Sequence, residues 1–331
     1  MKLCAIGCGE HAQSSHGPAQ KKYAGAHPEW VLAACCDVDR GRAEAHRERF
    51  GFARAYGDVE AMLAAETPDA VVVVVPESVT VAVAAPLLER GIPLLLEKPP
   101  GRTVEEVDRL IAAADRAGRP VPHQVALNRR YAPLVADLRR RLAQVGPPEA
   151  IHHVHYEMTR FDRRDSDFSV TAIHGIDAVR FIAASDYARV RFRYQERPEL
   201  GAGVANIFMD AVMASGATAH LAFCPVAGVV VERTTVHARG HTFLVHIPMW
   251  GAFDSPGLLQ HLEAGVLEAN AMGETPGAPK ESWELGGFFA EYEAFLGALA
   301  DGRTPSPSLR EARQSVAVAE SIRQRRDEFK A

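Results

Sequence analysis

The sequence lacks most of the features that would assign it to a specialised class. Its five cysteines, Cys4, Cys8, Cys35, Cys36 and Cys224, form no Cys-x-x-Cys pair, which excludes a zinc ribbon and a redox dithiol. No apolar run approaches the roughly 20 residues that a membrane-spanning helix needs. Positive charge is not in surplus: 37 Lys and Arg stand against 42 Asp and Glu, and the net charge of −5 argues against a nucleic-acid surface. There is no internal repeat, no low-complexity tract, and no basic-plus-apolar leader before the apolar stretch that starts at residue 2. The expectation is a soluble protein of a reducing cytoplasm, with neither a nucleic-acid nor a membrane partner.

Lysine is scarce as well. Arg carries most of the positive charge, and the lysines are Lys2, Lys21, Lys22, Lys98, Lys280 and Lys330. Five of these fall in segments that read as surface or terminus. Lys98 instead follows the apolar run Ile92-Pro93-Leu94-Leu95-Leu96, within Glu97-Lys98-Pro99-Pro100, where an ammonium is costly without a partner. Burial can tune a lysine into a proton donor and acceptor, whereas arginine keeps its charge. Lys98 is therefore a candidate acid–base group, and the bland alternative is an ion pair with a carboxylate.

What is present is a chain long enough for two cores. Up to residue 125, short apolar runs at 2–6, 31–36, 70–75, 93–96 and 121–125 alternate with helical patterns at 11–23, 40–50, 59–65, 79–90 and 104–117. The valines Val71 to Val75 show no polar alternation, as expected for a parallel strand covered on both faces. Gly51, Gly91 and Gly118 sit where helices stop, and Thr103 with Glu106 reads as a capping box. Beyond residue 145 the strands lengthen and alternate, at 151–158, 189–195, 204–211, 218–223, 229–237 and 242–247. One helix at 172–183 precedes most of them, and two more follow at 286–300 and 309–324. The fold class expected is an α/β Rossmann domain with a parallel sheet over 1–125. Over 126–331 an α+β domain with a large, mostly antiparallel open sheet should follow, its C-terminal helices packing back on the first domain.

Gly7-Cys8-Gly9-Glu10-His11-Ala12 lies between the first predicted strand and helix. There Gly7 permits a tight turn, Gly9 lets a pyrophosphate approach, and Ala12 lets helix and strand pack closely. Asp37 ends the second strand, where a carboxylate accepts ribose hydroxyls of NAD and repels the extra phosphate of NADP. Arg40 and Arg42, close behind, could soften that preference, though solvated charges on a first helical turn are the plainer reading. His174 and Asp177 share a helix face at i, i+3, and an Asp177–Arg180 pair is equally open. His152, His153 and His155 do not make a metal site, since only His153 and His155 share a strand face and no third ligand is evident. Trp283 and Tyr156 could line a pocket, though core aromatics are the plainer reading. No Tyr-x-x-x-Lys is present.

Taken together, the Gly7–Ala12 turn, Asp37, Glu97-Lys98-Pro99 and Asn128-Arg129-Arg130-Tyr131-x-Pro133 resemble the glucose–fructose oxidoreductase / inositol dehydrogenase / MocA family. His174-x-x-Asp177-x-x-Arg180-Phe181 and Pro305-Ser306-Pro307-Ser308-Leu309 extend the likeness over nearly the whole chain. The resemblance implies NAD-linked, or NADP-linked, oxidation or reduction of a polyol, sugar or inositol by a homodimer or homotetramer. It implies that Lys98 and His174 serve the chemistry; no metal site is expected. Cofactor contacts are implied for Gly7, Gly9, Glu10, His11, Asp37, Pro76, Glu97, Lys98 and Arg160, and substrate contacts for Asn128 and Asp177. Two departures stand out. Family members often carry Asp four residues before this His, where Val170 stands here, and His where Thr80 stands. Either Lys98 and His174 suffice, or Asp165 or Asp167 enters from the loop, or the chain is a nicotinamide-binding regulator without turnover. An NADP-linked carbonyl reductase is a further alternative.

Overall fold

A computed structural model describes residues 1–277 and 280–331. The chain forms two compact units, 1–127 with 288–316, and 128–287 with 317–331. Among the described residues no helix is long and apolar enough to cross a membrane.

The first unit is built on a parallel sheet of β1 (Lys2–Ile6), β2 (Val31–Cys36), β3 (Arg54–Tyr56), β4 (Ala70–Val73), β5 (Leu94–Glu97) and β6 (His123–Ala126), in the order β3-β2-β1-β4-β5-β6. Val71, Val72 and Val73 are buried, as a strand covered on both faces requires. Crossovers run through α1 (Gly17–Ala26), α2 (Arg40–Phe50), α3 (Val59–Glu66), α4 (Thr80–Glu89) and α5 (Val104–Arg116). Their starts are set by local side chains: Asp39 accepts from Gly41 N and Arg42 N, and Asp58 from Ala61 N. At α5, Thr103 accepts from Glu106 N at 3.1 Å, but the Glu106 carboxylate returns to Arg102 N rather than to Thr103 N, so the expected capping box is displaced by one residue. The expected helix at 11–23 divides into a π-helical turn, Ala12–His16, and α1.

The second unit holds α6 (Pro133–Val145), a helix not expected in this strand-rich half. Pro133 opens it and Leu134, Val135, Leu138 and Leu142 form its buried stripe. β7 (Ile151–Phe161) leads to α7 (Ser169–Ala183), which is buried nearly all round, and α7 packs on β7. Then come β8 (Tyr187–Glu196), β9 (Ala205–Met213), β10 (Thr218–Ala227), β11 (Val231–Ala238), β12 (His241–His246), β13 (Leu258–Glu263), β14 (Val266–Met272) and the short α8 (Ser282–Leu285). The sheet order is β14-β13-β12-β11-β7-β10-β9-β8-β15, antiparallel except for the parallel pair β7 and β10.

Of the C-terminal segment, α9 (Phe288–Ala300) is part of the first unit, where Pro307 O accepts from Val125 N beyond it. A capping box of Ser308 and Glu311 starts α10 (Leu309–Arg323). The last strand, β15 (Glu328–Lys330), closes the edge of the second unit's sheet against β8.

Candidate cofactor and proton-transfer sites

The strand order of the first unit reverses between β1 and β4, and open α/β sheets bind ligands at that crevice, beyond the carboxyl ends of the strands. Gly7 ends β1 there with φ +93°, and a Cβ would lie 1.9 Å from Val74 O, so only glycine fits. A Cβ at Gly9 would meet nothing within 4 Å, so the space in front of this position is open. Cys8, Gly9, Glu10, Gln13, Ser14, Arg42 and Arg49 line a cleft of about 590 Å³. From the end of β2, Asp37 accepts from Cys8 N at 2.8 Å and from Asp39 N at 2.9 Å. Its neighbour Val38 is almost wholly exposed, an apolar surface beside the carboxylate. Pro76 is exposed beyond β4, and its carbonyl accepts from Val79 N and the Thr80 hydroxyl.

Lys98 is half-buried at the end of β5, joined to Pro99 by a cis peptide. Its partner in sequence, Glu97, is buried and densely bonded. Oε1 accepts from His11 Nε2 at 3.0 Å and His16 Nε2 at 2.9 Å, and Oε2 accepts from Lys98 N at 2.7 Å. Burial alone would raise the Glu97 carboxyl, but the two imidazoles outweigh it and hold the group well below the ordinary carboxylate range. Burial also pushes His16 down, against the pull of Glu97. Its Nδ1 lies 2.9 Å from the Tyr292 hydroxyl, which also accepts from Gln20 Nε2 at 2.9 Å. Gly7, Gly9, Asp37, Pro76, Glu97 and Lys98 thus all follow or end strands at one edge of the sheet. His16, Gln20, Tyr292 and Arg49 are site residues that the sequence does not single out. No motif marks them, and His16 and Tyr292 are 276 residues apart.

In the second unit His174 is buried on α7. Asp177, one turn on, is committed to Arg130 by two bonds of 2.7 and 2.8 Å, with Arg180 at 3.7 Å, so the i, i+3 pair is the lesser one. Asn128 is buried, giving Nδ2 to Gly286 O and receiving Arg129 Nη1 on Oδ1. Arg160 is buried too, and with Arg129 it flanks Glu232 at 2.8 and 3.1 Å. The two guanidiniums overcome the effect of burial and hold the Glu232 carboxyl down. Asp165 pairs with Arg163, and Asp167 accepts from Ser169 N at the start of α7. Tyr156 is a core residue, as expected. His153 bonds the Thr218 hydroxyl, and His155 stacks on His220.

Residues 1–124 match the model of the Gfo/Idh/MocA oxidoreductase family with an NAD-binding Rossmann fold. The chain is 26% identical over 295 residues to inositol 2-dehydrogenase 1 of Saccharopolyspora erythraea, covering 88% of this chain and 84% of that protein. It is 32% identical over 203 residues to inositol 2-dehydrogenase of Paracoccus denitrificans, covering 58% of this chain and only 57% of that protein. The solved structure of levoglucosan dehydrogenase in complex with NADH aligns with a TM-score of 0.82 at 18% identity, over all of this chain and 98% of the other, a likeness of fold. The resemblance read from the motifs therefore holds, and residues 1–124 match an NAD-binding Rossmann fold of the oxidoreductase type.

Proposed function

We propose that this protein is an NAD-preferring dehydrogenase or reductase acting on a secondary hydroxyl or ketone of a sugar, inositol or related polyol. The observation that carries the reading is Lys98, held at the end of β5 on the same sheet edge as the glycine turn and Asp37. Bound NAD supplies a hydride acceptor. Lys98 supplies the complementary step: its amine takes the hydroxyl proton as the alcohol becomes a ketone, and returns it in the reverse direction. Glu97 anchors the lysine backbone, Asp37 receives ribose hydroxyls, and Gly7 and Gly9 admit the pyrophosphate. His174 orients the reacting hydroxyl, and the Asp177–Arg130 and Asn128–Gly286 bonds hold the surrounding chain. The inositol 2-dehydrogenases among the relatives support this substrate class.

A second reading is NADP-linked turnover, favoured by Arg42 and Arg49 lining the cleft. The working form in this proposal is a cytoplasmic homo-oligomer. On the face of the second sheet away from α7, Phe208, Val212, Leu244 and Leu262 stand unburied among charged and polar side chains, and a second copy of the chain is the occupant proposed for it. A monomeric mass by light scattering removes that part. The test of the activity follows nicotinamide absorbance while polyols, inositols and sugars are screened against both cofactors. Binding of NAD with no turnover on any of them favours a regulatory protein, as Val170 in place of the family's Asp would suggest.

A further inference from the structure

His11 and His16 stand five residues apart, a spacing that on an α-helix turns two side chains about 140° away from each other. Here the chain between them is a π-helical turn, closed by Gly17 N donating to Ala12 O, and the wider turn brings both imidazoles to one side. Both Nε2 atoms converge on one oxygen of Glu97, and the three donor atoms lie within 4.8 Å of one another. We propose that His11, His16 and Glu97 form a binding site for a divalent first-row transition ion of the zinc class.

The donor set suits such an ion: two imidazole nitrogens and one carboxylate oxygen. Metal–ligand bonds of about 2.0–2.2 Å give tetrahedral edges of about 3.4 Å. The 2.9 and 3.0 Å contacts then have to open by about half an ångström, and His11, whose side chain is 38% exposed, has room to move. Glu97 Oε2 remains with Lys98 N, leaving Oε1 as a single ligand. Three protein donors leave a tetrahedral ion one position for water or another oxygen, the pattern of exchangeable rather than structural sites.

An outer layer fixes His16 in the way ligating histidines are normally fixed. In the neutral tautomer that gives Nε2–H to Glu97, Nδ1 accepts from Tyr292 O–H, and Gln20 Nε2–H donates to Tyr292. With an ion on Nε2 the proton moves to Nδ1, and Tyr292 oxygen becomes the acceptor. The displaced hydroxyl proton then needs a new acceptor. Gln20 Oε1, buried and without a hydrogen-bond partner, supplies it once the amide turns over. The same side chains therefore bond His16 Nδ1 in both states. The Phe288 ring stands edge-on to both imidazoles at 5.5 and 5.3 Å and keeps one side of the group dry.

The test needs neither cofactor nor substrate. Tag-free protein, stripped with a chelator, is titrated with Co²⁺ and read by visible absorption, then with Zn²⁺ in competition with a chromogenic chelator. One equivalent per chain with the absorption of a four-coordinate site is expected. His11→Gln should weaken binding by at least roughly 100-fold, and Tyr292→Phe, acting through His16, by roughly 10–100-fold. Unchanged circular dichroism confirms that each variant is folded. His11→Gln alters a partly exposed side chain and decides the question alone if Tyr292→Phe does not fold. Absence of binding, or binding that survives His11→Gln and disappears in His220→Gln on the second unit's sheet, overturns the proposal.

Discussion

Asp37 Oδ2 accepts a hydrogen bond from Cys8 N at 2.8 Å, so the carboxylate read as a ribose acceptor also fastens the glycine turn proposed to receive the pyrophosphate. In the proposed function, one side chain at the end of β2 thereby couples cofactor choice to the shape of the phosphate site. Its other oxygen takes Asp39 N, the residue that caps α2, which fixes the carboxylate in place before any ligand arrives.

Cofactor preference should follow from this arrangement. Wild type is expected to bind NAD more tightly than NADP, because a carboxylate that receives the ribose hydroxyls repels the added phosphate. Asp37→Asn removes a charged hydrogen-bond acceptor worth about 1.5–3 kcal/mol, so NAD affinity should fall roughly 10–100-fold and the margin over NADP should shrink. Fluorescence titration with both cofactors measures it. Equal or tighter NADP binding by wild type would mean that Arg42 and Arg49 govern the site.

His46 gives the first unit a pH-dependent stability. It is buried against Phe50 and Phe52, neither ring nitrogen has a hydrogen-bond partner, and burial pushes it down from 6.5 to about 4. Between those values the unfolded chain binds a proton that the folded chain refuses, so stability falls as pH drops through that window, by about 3 kcal/mol at most. His46→Leu should flatten that slope in denaturant titrations from pH 7 to 4. Glu97, held low in the folded state, contributes above its ordinary unfolded value and is lost only at still lower pH. A slope unchanged in His46→Leu would assign the acid sensitivity to other groups.

The buried group of Arg129, Arg160 and Glu232 should be the most sensitive ion pairing in the second unit. Removing one member leaves buried charge without compensation, at a cost of about 3–5 kcal/mol. Glu232→Gln should therefore lower the denaturation midpoint strongly, while Asp165→Asn, in an exposed pair with Arg163, should change it little. Similar midpoints for both variants would show that the guanidiniums find other acceptors.

The first unit was largely legible because its signals are local: an unbroken valine run, a glycine turn between strand and helix, and a carboxylate at a strand end. β3 was not, since Arg54–Tyr56 is too short to show a period. β14 escaped for a different reason. Most of its residues are exposed, and a strand with little burial on either face carries no alternation. The stripe of α6 was readable at helical spacing but lay in the segment joining the two halves. Of the candidate site residues, the sequence places Lys98 and Asp37 by position alone. It could not reveal that Glu97 is shared by His11 and His16, because an α-helical period puts those histidines on different faces and only the π turn reunites them. Nor could it show that Asn128, Arg160 and Asp177 are committed to partners far along the chain.

The chemistry is tested at Lys98. If its amine moves the proton, Lys98→Ala should reduce turnover roughly 10²–10⁴-fold while NAD affinity stays close to wild type, because the glycine turn and Asp37 hold the cofactor. Lys98→Arg should be almost as slow, since a guanidinium keeps the charge and cannot release its proton. His174→Ala separates two roles: a rise in KM larger than the fall in kcat marks it as orienting the hydroxyl, and a loss of kcat comparable to that of Lys98→Ala makes it part of the proton path. Steady-state rates on the substrate found by the screen decide among these. Wild-type turnover by Lys98→Ala would falsify the proton-transfer assignment and leave His174 as the acid–base group to test next.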